Sequence, residues 1–467
     1  MKKRTISVIS FCLFAFAYLG QMGCANIIPP GGGPRDSLPP ILITALPKDS
    51  ALNFNSNKIV LTFNEFVEVR ELTENLVVSP LPKNNPIVDF KLRTVTIKLK
   101  DSLVPNTTYT IDFGNSVKDV NEGNAVKNFT YVFSTGNIID NNSFSGKVVV
   151  AETGLIDSTI IAALYKNTND TAVITQRPNY IAKLQGDGSF KFINLPIGNF
   201  KLYVINNSYS KKYDDSTQLF AFYDSVINVG STTSQPTLYA FQEAKKITPP
   251  PTVVTTTKAP TTEKEKQLKY ATSLEQGKQD ILDTTLTLSF NRKIKNLDVD
   301  KIALYDTNYK KISNYNIELD STKQSLFIHK KWVEKFFFYL VLQKDCVVDT
   351  TNTSLTKTDT LKFSTKNENE YGSVKIRFNN IDTAKHHVLL IYKEGKLFET
   401  VKITQPEWIR KLYYTGEFDL KILTDTNNNG IWDTGNYKQK KQPEVIKPLS
   451  KKLSVRANWE NETEITL

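Results

Sequence analysis

The sequence predicts an all-β protein, a string of small β-sandwiches interrupted once by a Pro/Thr/Lys-rich linker. Three observations carry this. First, apolar residues alternate with polar ones at period two: Ile59, Leu61 and Phe63 in "KIVLTF", Val95, Ile97 and Leu99 in "RTVTIKLK", Tyr109, Ile111 and Phe113 in "TTYTIDF", and Phe129, Tyr131 and Phe133 in "NFTYVFSTG". Second, turn-forming residues recur about every ten positions between these runs, the spacing of a sandwich. Third, the chain is rich in strand-forming aromatics, with 20 Tyr and 26 Phe against 2 Met. A length of 467 residues leaves room for about three to four domains of ~100–150 residues. With 40% hydrophobic and 23% charged residues, the body can pack cores rather than stay a solvated polyelectrolyte.

The chain opens on a leader. Lys2, Lys3 and Arg4 are followed by an apolar run of 14 residues over 6–19. A bilayer span takes about 20 such residues, so this run predicts a secretory signal over 1–23 rather than a membrane helix. Gly20, Gln21, Met22 and Gly23 then lead to Cys24. This box resembles that of bacterial lipoproteins, in which a small residue precedes the cysteine that receives the lipid; Gln21 stands where that family usually has Leu. The resemblance implies lipidation at Cys24 and attachment to a membrane through it. Each buried methylene contributes ~0.8 kcal/mol, and stable anchoring needs more than one acyl chain. Ala25 and Asn26 follow the cysteine; by the same resemblance, the lack of Asp there points to the outer membrane. Residues 24–39, rich in Pro and Gly, read as a tether.

The body divides into four segments. Residues 40–136 contain "PPILITALPKDSA", "IVLTFNEFVE", "LVPNTTYTIDF" and "YVFSTG", and on these phrases the segment resembles the bacterial Ig-like domain of the S-layer protein SbsA. The resemblance implies a structural or adhesive role and brings no catalytic residues with it. Residues 140–242 contain "GDGSFKFINLPIGNFKLYVINN", which resembles the prealbumin-like, carboxypeptidase-regulatory-like β-sandwich, usually an accessory module. Gly186–Gly188 reads as a hairpin turn, and Leu195, Pro196 and Gly198 as a tight corner between two strands. Residues 243–266 have Pro, Thr and Lys but few core formers, and read as a linker. The second half then echoes the first. "DTLKFSTK" parallels "FTYVFSTG", so 267–366 reads as a diverged Ig-like domain. "GEFDLKIL" parallels "GNFKLYVI", so 367–467 reads as a second prealbumin-like sandwich.

The most chemically informative motif is "DTNNNGIWDTGNY". Asp425, Asn427 and Asn429 occupy positions one, three and five, Gly430 position six, and Asp433 position nine. Oxygens at odd positions of such a loop converge on one calcium ion, with Ile431 at position seven offering its backbone carbonyl. Position twelve is Asn436 where a bidentate Glu is expected, and Glu444 could complete the shell from outside. The competing reading is a long Asn/Gly-rich turn that needs no metal. No other cofactor is indicated.

Other chemistry is thin. Cys346 stands alone in the body, in a strand-like run, and reads as a buried apolar residue rather than a reactive thiol. His386 and His387 are adjacent and face opposite sides of a strand, and His329 has no acid or nucleophile near it in sequence. No paired carboxylates stand out for glycoside chemistry, so the reading is non-catalytic. The net charge of +11 is mostly dispersed Lys, without the Arg and aromatic stripes that nucleic acid would need. The expected function is therefore a lipid-anchored envelope protein with a structural, adhesive or partner-binding role, its partner an envelope protein or a glycan. The alternative is a carbohydrate-binding surface lipoprotein that stacks sugars on Trp408, Trp432 and Trp459.

Overall fold

The computed structural model describes residues 35–231, 234–244, 267–382 and 385–467. The leader, Cys24, the start of the tether and the linker from residue 245 onwards lie outside the described residues. Among the described residues the regular secondary structure is almost all strand, as the alternation predicts, and the chain divides into two compact units.

The first unit runs to Asn142 and includes Ile193–Ile197. One sheet orders strands Leu42–Leu46, Lys58–Phe63, Thr94–Lys98 and Ile87–Lys91; a second orders Val77–Ser79, Thr108–Gly114 and Phe129–Ser134. The alternating residues of the sequence face inward. Ile59, Leu61, Phe63, Val95, Ile97, Ile111, Phe113, Tyr131 and Phe133 form one core with Phe54 and Tyr109. Phe133 stacks between Phe54 at 3.9 Å and Tyr109 at 5.1 Å, and the Tyr131 hydroxyl donates to the Pro47 carbonyl at 2.9 Å. The end of the expected tether touches this body: Asn124 donates to the Asp36 carbonyl at 3.1 Å.

The second unit holds three sandwiches. In residues 143–244, the parallel partner of Asn142–Val150 is Thr237–Ala240, with Ser189–Leu195 on its other side. The facing sheet orders Tyr180–Lys183, Ile160–Tyr165, Gly198–Asn206 and Ala221–Phe222, and Ile227–Val229 also pairs with Gly198–Asn206. The turn at Gly186–Gly188 is not a hairpin, because its flanking strands belong to different sheets. It carries the chain across the sandwich, and Gly188 is forced there: at φ +82°, a Cβ would sit 2.4 Å from the Val148 carbonyl. The corner at Leu195–Gly198 likewise crosses between sheets. Glu243 and Ala244, expected to open the linker, are bound to the body: Glu243 accepts from the Tyr213 hydroxyl at 2.5 Å, and Ala244 N donates to Ser216 O at 3.0 Å.

Residues 367–467 repeat this topology strand for strand. Glu407–Tyr413, Gly372–Asn379 and Glu460–Thr466 form one sheet, again with a parallel last pair. Lys396–Lys402, His386–Lys393, Gly416–Asp425 and Val445–Pro448 form the other. Residues 267–366 repeat the first unit in the same way: Tyr270–Thr272, Thr285–Phe290, Ser325–His329 and Asn316–Leu319 face Ile302–Tyr305, Phe337–Leu342 and Asp359–Thr365. One detail marks both copies. Asp119 is buried and accepts backbone N–H bonds from Glu122, Gly123 and Asn124 at 2.6–2.9 Å. Asp349, in the matching place, is buried and accepts from Thr351 N and Thr353 N at 2.8 Å each.

Candidate metal loop and its surroundings

The Asp425 loop connects strands Gly416–Asp425 and Val445–Pro448. Asp425 ends its strand fully buried, and its two oxygens accept from Asn429 N at 3.2 Å and Gly430 N at 2.7 Å. Asn427 Oδ1 accepts from Asn429 N at 3.1 Å, and Asn429 Oδ1 from Ile431 N at 2.8 Å. The Asn427 and Asn429 amides both donate to Asp433 Oδ2. The loop thus gathers four of the five predicted side chains. Ile431 contributes only backbone, its side chain 65% exposed.

Asn436 does not serve as twelfth ligand, because its Oδ1 caps its own turn at Gln439 N, 2.9 Å away. Glu444 reaches in instead. Its Oε1 accepts from Thr426 N and Oγ1, each at 2.7 Å, and its Oε2 from Asp433 N at 3.0 Å. Glu444 is 3% exposed, and its only signal in the sequence was a Pro-Glu pair ahead of the next strand.

The donor set has the right chemistry for a hard cation, which takes carboxylate, amide and carbonyl oxygens. Yet among the described residues no three Asp, Glu, His or Cys side chains converge closely enough to hold an ion by themselves. Most of the side-chain oxygens an ion would use, on Asp425, Asn427, Asn429, Asp433 and Glu444, already accept N–H bonds, so the loop closes largely on itself. Binding would have to turn the Asn amides and exchange those bonds for ion contacts.

The second half of the loop does something the sequence did not announce: it clasps residues 143–244. Thr434 Oγ1 donates to Gln242 O at 2.6 Å, and Tyr437 N to Glu243 Oε1 at 2.5 Å. The Tyr437 hydroxyl donates to Asp170 O at 2.7 Å and lies 3.0 Å from the Tyr203 hydroxyl. Its ring packs on Phe220 and Phe222, with centroids 4.9 and 5.2 Å away. Gly435 lets the chain approach this closely, since a Cβ there would meet the Phe241 ring at 2.7 Å. Ile446 N adds a bond to Ala151 O at 2.9 Å. Burial, then the Tyr203 contact, push the Tyr437 phenol far above its ordinary range, so it stays a proton donor.

The other singled-out residues fall into ordinary places. Cys346 is fully buried, and burial pushes its thiol up to about 11. The three tryptophans do not share a platform. Trp408 is in the core of its sandwich, Trp432 is half-buried and donates to Glu444 O at 2.7 Å, and Trp459 is 62% exposed. His387 is half-buried, its imidazole held below its ordinary range by burial and then by Lys385. The fold gives His329 neighbours that the sequence hid: Thr285 Oγ1 at 3.1 Å and Glu318 at 3.6 Å. With the Glu318 side chain 65% exposed, water screens that pair to roughly 1 kcal/mol at most.

No curated protein matches the chain. Solved structures resemble it at low scores. A structure of native alpha-2-macroglobulin from Escherichia coli is 12% identical, covering 41% of this chain and 97% of its own, with a TM-score of 0.20. The major pilin subunit BcpA of Bacillus cereus is 9% identical, covering 70% and 99%, at 0.16. The full-length major pilin SpaD of Corynebacterium diphtheriae is 9% identical, covering 70% and 96%, at 0.16. Residues 36–135 match the family model of the bacterial Ig-like domain.

Proposed function

We propose that the protein is a lipid-anchored scaffold of the cell envelope, held at Cys24, whose sandwiches present or space a partner-binding surface without catalysis. The observation that carries this is the order of parts along the chain. A leader ends in Gly23 and Cys24, a Pro/Gly tether follows, and an Ig-like domain begins at residue 36. Rigid sandwiches on a short tether suit positioning rather than turnover, and the outer membrane is the expected site. The test is metabolic labelling with a palmitate analogue, together with fractionation of wild type and Cys24→Ser. Label in wild type, and release of the Cys24→Ser chain from the membrane, support the anchor. An unlabelled wild type, or a Cys24→Ser chain that stays membrane-bound, refutes it. Protease shaving of intact cells then separates an outward-facing scaffold from a periplasmic one.

The second part of the proposal is that the 425–444 loop takes Ca²⁺ and stiffens the clasp. The gathering of Asp425, Asn427, Asn429, Asp433 and Glu444 in one loop favours it. Extracellular modules of this charge bind on the order of 10⁻⁴–10⁻³ M. At tenfold excess over Kd, binding adds about 1.4 kcal/mol. The full chain should melt higher in millimolar Ca²⁺ than in EGTA, and Asp433→Asn should abolish the rise while still folding. Identical melting curves in both buffers would sink the site.

A further inference from the structure

The two Ig-like copies serve as controls for each other. In the first, the outward row of the three-stranded sheet is Ser79, Thr110 and Val132, by the pairings Ser79↔Thr110 and Thr110↔Val132. In the second, the matching row is Tyr305, Tyr339 and Lys362, by the pairings Tyr305↔Tyr339 and Tyr339↔Lys362. One step along, Thr108 is replaced by Phe337. The same fold is therefore built with small residues at these positions in one copy and with aromatics in the other, so the sandwich does not need the aromatics.

Their settings differ as well. Thr108 and Thr110 are buried and bonded to Asp140 and Asn194. Phe337 is 60% exposed, and so is Tyr309 at 63%, a loop residue stacked on Tyr339 with centroids 5.1 Å apart. Tyr305 lies 6.4 Å from Tyr309. Lys362 holds its ammonium 5.4 Å from the Tyr339 ring, and the backbone of Lys311 bridges to Tyr305. With Tyr305 and Tyr339 half-buried and Tyr309 and Phe337 exposed, this face leaves apolar ring surface in water that folding does not require, which is the mark of a binding surface.

We propose that this face, built from Tyr305, Tyr309, Phe337 and Tyr339 with Lys311 and Lys362 beside them, binds an acidic polysaccharide. The chemistry selects that class. Aromatic faces carry negative quadrupole density and attract the partly positive C–H face of a pyranose ring. Phenol hydroxyls at the ring edges can bond sugar hydroxyls. The lysines complement a carboxylate or sulfate carried on the sugar. The proposal goes beyond the scaffold reading and does not rest on lipidation, since the face exists whether or not Cys24 is acylated.

The test is affinity electrophoresis of the full chain, purified in detergent, through gels containing polygalacturonate, chondroitin sulfate or neutral dextran. Retardation by at least one acidic polymer and not by dextran is expected, weakened at least tenfold by Tyr309→Ala and by Phe337→Ala. Both side chains are exposed, so their melting temperatures should match wild type. Four results would overturn the proposal. One is no retardation by either acidic polymer; a second is less than twofold weakening in both variants. A third is binding that Lys362→Gln abolishes but Tyr309→Ala leaves intact, which would make it nonspecific attraction to lysine. The last is concentration-dependent dimerisation that Phe337→Ala disperses, which would assign the face to a second copy of the chain.

Discussion

Truncating Tyr437 tests whether the clasp holds two sandwiches as one body. The side chain is 5% exposed, and its ring packs on Phe220 and Phe222 across the join. Tyr437→Phe keeps the ring and removes the hydroxyl, leaving the Asp170 carbonyl and the Tyr203 hydroxyl short of a partner. Orphaning buried polar groups in this way costs about 1–3 kcal/mol. Tyr437→Ala also empties the aromatic pocket, and the total should reach about 3–5 kcal/mol. Urea unfolding of the full chain, followed by tyrosine and tryptophan fluorescence, should show the transition of residues 143–244 and 367–467 moving to lower urea. A cycle with Tyr203→Phe should show coupling of at least about 0.5 kcal/mol, because the two hydroxyls share one bond. If Tyr437→Ala moves no transition, or if the two Phe substitutions add without coupling, the clasp contributes no stability and the reasoning fails.

Three further outcomes follow from the same packing. Gly435→Val should destabilise the same transition as Tyr437→Ala, since the new side chain must displace the Phe241 ring now 2.7 Å from the Cβ position; an unchanged urea midpoint would contradict this. Cys346 should resist alkylation by iodoacetamide in the native chain and react only on unfolding, because burial both hides the thiol and raises it to about 11; rapid native labelling at pH 8 would count against the packing. For Asp119 and Asp349, burial raises the carboxyl, but bonds from neighbouring backbone N–H groups, joined at Asp349 by the Thr351 hydroxyl and the Arg292 guanidinium, outweigh it and hold both below their ordinary value. A depressed folded pKa contributes stability that is present above the unfolded value near 3.8 and is lost as pH falls towards the folded pKa. Replacing each by Asn should therefore flatten the loss of stability below pH 4, measured by urea unfolding; an unaltered pH slope would refute the assignment.

How much of this was legible in sequence follows from the range over which each signal acts. Period-two alternation is local, so the strands around Ile59, Val95, Tyr109 and Tyr131 could be read directly, and their side chains meet in one core. The repeat was legible for the same reason: "YVFSTG" and "KFSTK" keep Phe133 and Phe363 facing inward in matching strands. The turn at Gly186–Gly188 was misread because a hairpin and a crossing between sheets ask for the same residues; only pairing to a third strand tells them apart. The acidic and amide spacing of the Asp425 loop was visible, but Glu444 enters from 11 residues beyond Asp433, outside any fixed-spacing motif.

The clasp was invisible for a deeper reason. Tyr437 meets Tyr203 across 234 positions, and nothing in "GNYKQKKQ" distinguishes a tyrosine that bridges two sandwiches from one on a polar turn. The aromatic face of residues 267–366 was hidden differently. Tyr305, Phe337 and Tyr339 satisfy the strand pattern on either side of the sheet, so alternation assigns them no cost for facing outward. Their exposure becomes informative only against the first copy, where Ser79, Thr108 and Thr110 build the same rows without them. An internal duplication thus supplies the comparison that a single domain lacks: wherever one copy keeps a costly exposed group that the other does without, the fold is not what retains it.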